Sequence, residues 1–145
     1  MKAIFKTADN YVGLILRLSL GGIVLPHGAQ KMLGWFGGYG FTGTMNFFTE
    51  TLHLPWIIGF LVIVIEFVGA ISILLGFAVR IWAAAIVVLF SGIILTSHLE
   101  YGFFMNWFGN QKGEGYEFHL LIIGLALALL LNGSGKLGLY QKISA

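Results

Sequence analysis

Cysteine is absent from the 145 residues of this chain, and charge is scarce, with only 10% of positions occupied by Asp, Glu, Lys or Arg. Without thiols the chain itself forms no disulfide, thiolate zinc site or cysteine-ligated iron–sulfur cluster, and it carries no dithiol chemistry. A formal net charge of +2 is too small and too dispersed for nucleic acid binding. The basic start MKAIFKTADN leads into an apolar segment interrupted by Arg17. No small-residue cleavage pattern closes that segment, so a removable signal peptide is not expected.

The chain is instead rich in apolar surface. Hydrophobic residues make up 58% of it, which places it among integral membrane proteins, with the lipid bilayer as its main partner. Its length allows one unit of about four membrane-crossing helices, each needing roughly 20 residues, and leaves no room for a second domain. The apolar runs are continuous and do not alternate, which argues against a β-barrel, and the expected fold is all-α. Four spans are expected at about 11–27, 54–79, 81–98 and 116–132. The second and third meet at Arg80 with almost no linker and should form a tight antiparallel hairpin. The last fades into NGSGKLG, whose asparagine and glycines favour a left-handed helix end. In the first long connection, Phe41, Met45, Phe48 and Leu52 recur at helical spacing, as on the apolar face of a short interfacial helix.

With four crossings both termini share a side. Lys2, Lys6, Arg80, Lys136 and Lys142 then face Lys31 and Lys112 across the membrane, and this bias places the N- and C-termini in the cytoplasm.

Two charges interrupt the spans. At about 1.5 Å per residue, Arg17 lies roughly 10 Å and Glu66 roughly 20 Å from the cytoplasmic ends of their spans. A charge at the centre of a bilayer costs at least about 2.5 kcal/mol, so both should turn inward. The depth offset is within the reach of two long side chains, and Arg17 and Glu66 are expected to form a buried polar pair, directly or through one water. Gly13, Gly21, Gly69 and Gly76 would let the helices approach around them.

A second polar group gathers at the outer end, where His27 and Lys31 close the first span, His98 and Glu100 the third, and Glu117 and His119 open the fourth. His27 and Lys31 share one helix face if the helix continues through Gly28. Several readings of this cluster are open at the level of sequence. Metal ligation suits the residue types, but the spacings match no dedicated motif, and no metal centre is assigned. Two histidines from different helices could hold a haem. Histidine and carboxylate could bond a quinone headgroup, with Trp35, Phe36, Trp107 and Phe108 around it. The plain alternative is a hydrogen-bonded belt at headgroup level, where tryptophan and tyrosine collect anyway. No catalytic residue is identified.

The segments HGAQKMLGWFGGYGFTGTMNFF, EFVGAISILLGF and SHLEYGFFMNWFGNQKGEGYEFHLLIIGLALALLL together resemble the DoxX family of small bacterial membrane proteins. The resemblance implies a four-helix inner-membrane protein. Its relatives include a membrane subunit of thiosulfate:quinone oxidoreductase and proteins linked to thiol stress or to quinone and catechol resistance. By position, the family's polar residues fall on Arg17, His27, Lys31, Glu66, Glu117 and His119. The expected function is a quinone-associated or redox-partner membrane subunit with no intrinsic cofactor, its outer cavity linked inward to Arg17 and Glu66. The alternatives are a structural or assembly subunit of a larger complex and a small-solute or proton pathway. A partner redox subunit and self-association are both compatible with the apolar surface.

Overall fold

The computed structural model describes residues 9–139, and among these it contains helices and no strand. Helix α1 spans Tyr11–Leu33. Asn10 starts it with extended backbone and a side chain that accepts from the Gly13 amide at 3.2 Å, satisfying a donor that a first turn otherwise leaves open. Gly34 ends it in the left-handed conformation, φ 74°. Pro26 lies inside the helix without ending it. The helix therefore runs well beyond the apolar stretch and carries Lys31 on its last turn.

Helix α2 covers Gly40–Asn46 and continues as a π-helical turn over Phe47–Thr51. Helix α3, Trp56–Leu75, contains a π-helical turn at Ile65–Gly69, and α4, Val79–Tyr101, contains one at Ile94–His98. Helix α5 is Glu117–Asn132. Helices α1, α3 and α4 are each long and apolar enough to cross a membrane, and α5 is a shorter apolar helix beside them. The chain is a multi-pass all-α membrane protein.

Helix α3 stops short of 79 because Gly76 turns left-handed, φ 74°, and only Gly76, Phe77 and Ala78 join it to α4. The main core lies in the half of the bundle that carries the chain ends. There Leu20 and Val24 of α1 meet Ala70 and Ile73 of α3, Ala83 and Ile86 of α4, and Ile122, Ala126 and Leu129 of α5. A smaller cluster at the other end packs Met45 and Phe48 of α2 on Val62 and Ile63 of α3. Phe41 is partly buried against it, whereas Leu52 is largely exposed. The segment after α5 folds back on α1, with the Lys136 amide donating to Asn10 O at 2.9 Å and Asn10 Nδ2 to Asn132 Oδ1 at 3.1 Å. Arg80 and Lys136 lie at this end of the bundle, while Lys2, Lys6 and Lys142 fall outside the described residues.

Small residues fix the register of α1 against α3. A Cβ on Gly28 would stand 2.5 Å from the Glu66 carbonyl carbon, and one on Gly21 2.6 Å from Leu74 Cγ. Gly28→Ala should therefore force the two helices apart at Glu66 and lower stability in detergent by about 1–3 kcal/mol. Gly22→Ala, pointing into open space, should be neutral or slightly stabilising because alanine favours the helix. Chemical unfolding of the two variants side by side checks the contrast.

Candidate functional site

At the end of the bundle opposite Asn10 and Lys136, the helices line a cavity of about 550 Å³. Each of the four long helices contributes polar side chains or aromatic walls: His27 and Lys31 from α1, Glu66 from α3, Phe90, Ser97 and His98 from α4, Phe118 and His119 from α5. Phe47 and Phe48 of α2, Met105 and Glu114 of the loop before α5, and apolar residues such as Leu54, Val62 and Ile93 also line it. All three π-helical turns place side chains here, the first Phe47 and Phe48, the second Glu66, the third Ser97 and His98. A π turn inserts one residue into a helix and re-aims the side chains beyond it, and such turns gather at functional sites.

Lys31 and Glu66 form an ion pair across the α1–α3 contact, Nζ to Oε2 at 2.5 Å. The Glu66 side chain is 3% exposed and that of Lys31 26%. The carboxylate is thus enclosed, and the ammonium faces the more open space. This arrangement corrects the expected pairing of Glu66 with Arg17. Because Gly28 faces Glu66 and Gly21 faces Ala70 and Leu74, Arg17 sits about 16 Å along the helix axis from the level of Glu66. Both charges are buried as expected, but each has other partners. Arg17 donates from Nη1 to Leu74 O at 2.5 Å and from Nη2 to Lys136 O at 3.0 Å. A cation at the end of α3 satisfies a carbonyl that the last turn leaves open and complements the helix dipole. Arg17 is a structural tie near the chain ends and has no place in the cavity.

The histidines form the opposite wall. The rings of His98 and His119 lie 4.1 Å apart, centroid to centroid, inclined at 41°. His98 Nδ1 is 2.7 Å from Glu114 O. A carbonyl only accepts, so Nδ1 carries the proton, and in the neutral ring Nε2 is left as the acceptor. His119 is buried between Phe90 and Phe118, each with its centroid 5.7 Å away, and its Nδ1 has no hydrogen-bond partner. A buried polar atom without a partner is uncommon and costs roughly 1–3 kcal/mol. His27 stands beside Phe118 at 6.2 Å.

Two carboxylates expected in the cavity lie elsewhere. Glu100 is exposed and outside the wall, since the short 3₁₀ turn Leu99–Tyr101 follows the π turn and carries it away. Glu117, in the first turn of α5, accepts from the Met105 amide and from Trp107 Nε1, both at 2.9 Å. It holds the covering loop in place, and Glu114 does the same by accepting from the Asn106 amide at 2.7 Å. Trp35, Phe36, Trp107 and Phe108 all project outward, and the aromatic walls are Phe47, Phe48, Phe90 and Phe118 instead. Among the described residues no three His, Asp or Glu side chains converge as metal ligands would.

A family model described as DoxX matches residues 12–99. A Bacillus subtilis (strain 168) protein named "Putative oxidoreductase CatD" is 30% identical over 126 residues, 87% of this chain and 82% of that protein. No solved structure matches the chain. The family match includes His27, Lys31, Glu66 and His98 and ends before His119.

Removing one partner of the ion pair should be costly, and asymmetrically so. Lys31→Met leaves the enclosed Glu66 carboxylate alone and is expected to cost about 3–5 kcal/mol. Glu66→Gln leaves a lysine that reaches water, with an expected cost nearer 1–3 kcal/mol. The double variant should recover much of the loss. Arg17→Met and Glu66→Gln, by contrast, should add within about 0.5 kcal/mol. Equilibrium unfolding of the two double-mutant cycles in mixed micelles checks both expectations.

Proposed function

The chain belongs to the DoxX family of membrane proteins, and we propose that it is the quinone-binding membrane component of an oxidoreductase system, with the four-helix cavity as its headgroup site. One observation carries this reading. A largely apolar cavity of about 550 Å³ brings together a lysine, its buried carboxylate partner and two histidine rings in contact. Small-molecule sites have this composition, apolar walls with a few convergent polar groups. The oxidoreductase name of the Bacillus subtilis relative supports the reaction class.

The residues fit a flat ring that carries two carbonyl oxygens. Phe90 and Phe118 supply aromatic walls on either side of His119. Lys31 commits one of its three N–H donors to Glu66 and keeps two for a ligand oxygen. A bound quinone supplies a two-electron, two-proton couple, and the electrons come from a separate redox partner. The chain's own share is binding and proton handling. Glu66 holds the Lys31 ammonium at the wall, and His98, fixed through Glu114 O, keeps Nε2 as its acceptor beside the His119 ring. The excess of lysine and arginine toward the terminal side supports a bacterial cytoplasmic-membrane setting with the cavity end outward.

The test is thermal or chemical stabilisation of the purified protein by a dimethoxy-methyl-benzoquinone. At a hundredfold excess over the dissociation constant, stabilisation of about 2.7 kcal/mol is expected. His119→Phe, which keeps a ring and removes the nitrogen, should lose most of it at the same concentration. A wild-type protein that no quinone stabilises contradicts the reading. Its migration within a larger membrane complex would then identify a structural subunit.

A further inference from the structure

A second cavity, about 530 Å³, lies on the outside of the bundle between α3 and α4. Its walls are apolar side chains such as Ile58, Leu61 and Val88, together with the small residues Ala84, Ala85 and Gly92. It adjoins the polar cavity, with Leu54, Val62, Ile93 and Thr96 lining both. The one hydroxyl at that junction is already used, as Thr96 Oγ1 donates to Gly92 O at 2.9 Å. The shared wall therefore offers hydrocarbon no unmet polar group.

The gap is local. Farther toward the chain ends α3 and α4 pack closely, with Trp82 filling the space beside Gly69, where a Cβ would stand 2.7 Å from its ring. Near the polar cavity the same two helices present Gly92, beside which no atom lies within 4 Å. From Leu54 and Thr96 to Ile65 and Ala84 the groove runs about 18 Å along the helices, at 1.5 Å per residue. Ile58, Leu61 and Val88 on its rim are exposed on the outer surface of the bundle, which in a multi-pass membrane protein faces lipid.

A polar chamber that shares a wall with an apolar groove on the outer surface of α3 and α4 offers a place for each half of an amphipathic ligand: headgroup inside the bundle, chain alongside the two helices. We propose that the ligand of this protein is a membrane-borne quinone with a long hydrocarbon chain, that it enters from the bilayer between α3 and α4, and that its chain stays in this groove. The proposal rests on the quinone reading of the polar cavity and adds to it the ligand's second half and its route. Because bilayer lipid solvates a hydrocarbon chain as well as the groove does, the groove's contribution is packing and alignment of the headgroup.

Gly92 offers a direct test, since a side chain there enters the groove without meeting the protein. Two probes with one headgroup, a dimethoxy-methyl-benzoquinone without a side chain and its decyl homologue, are titrated against wild type, Gly92→Phe and Ala84→Phe in the same micelles, so that partition into detergent cancels between proteins. The expected result is an about tenfold loss of affinity for the decyl homologue in Gly92→Phe, about 1.4 kcal/mol, and a smaller loss in Ala84→Phe, with headgroup affinity within about twofold of wild type in both. Unchanged affinity for both probes in the two variants overturns the groove and leaves the headgroup site standing. Equal losses of both probes in Ala84→Phe, which lines the groove and not the polar cavity, also overturn it. Binding of neither probe by wild type removes the headgroup reading and the inference together.

Discussion

The Lys31–Glu66 pair sets the conditions for the rest of this structure. A carboxylate 3% exposed in the second membrane helix needs a cation close by. That cation comes from the last turn of α1, which must therefore continue beyond Pro26. For the turn to reach Glu66, the backbones of α1 and α3 must touch, and Gly28 permits this. The contact then fixes the register of the two helices along their length. It places Arg17 where α3 ends and leaves it to satisfy carbonyls there. One buried charge thus accounts for a proline-containing helix, a glycine contact and the partners of a second buried charge.

Much of this was legible in the sequence, and the failures have physical causes. Apolar runs and their breaks give four helices, a tight α3–α4 turn and a short helix at Gly40–Asn46. The burial of Arg17 and Glu66 follows from the cost of facing lipid with a charge. Their pairing does not follow, because depth was counted from the ends of hydrophobic runs, while register is set by backbone contact at Gly28 and Gly21. His27, Lys31, His98 and His119 were all identifiable as one cluster, and the structure gathers them with Glu66. The places of Glu100 and Glu117 do not follow, because a π turn and a 3₁₀ turn end α4 and because an acidic residue in the first turn of α5 holds a loop as readily as it lines a cavity. The π-helical turns themselves leave no recognisable mark in the residues that form them.

The cavity departs from good packing in the ways that a site does. The core near the chain ends is filled by Leu20, Ile73, Ile86 and Leu129, whereas the opposite half holds an open chamber, an unpartnered histidine nitrogen and a gap between two helices. Closing that half with larger aliphatic residues would be an ordinary route to a more stable protein. Instead, three irregular helical turns direct polar and aromatic side chains into the space. With no thiol in the chain, these side chains carry no dithiol chemistry.

The state of Glu66 is the most direct measure of this account. Infrared difference spectra between reconstituted wild type and Glu66→Gln, with and without a quinone, isolate the signal of that one side chain. The account predicts an ionised carboxylate band, shifted when the quinone draws on Lys31. A protonated carboxyl band in the absence of ligand, or a carboxylate band that no quinone perturbs, would contradict it.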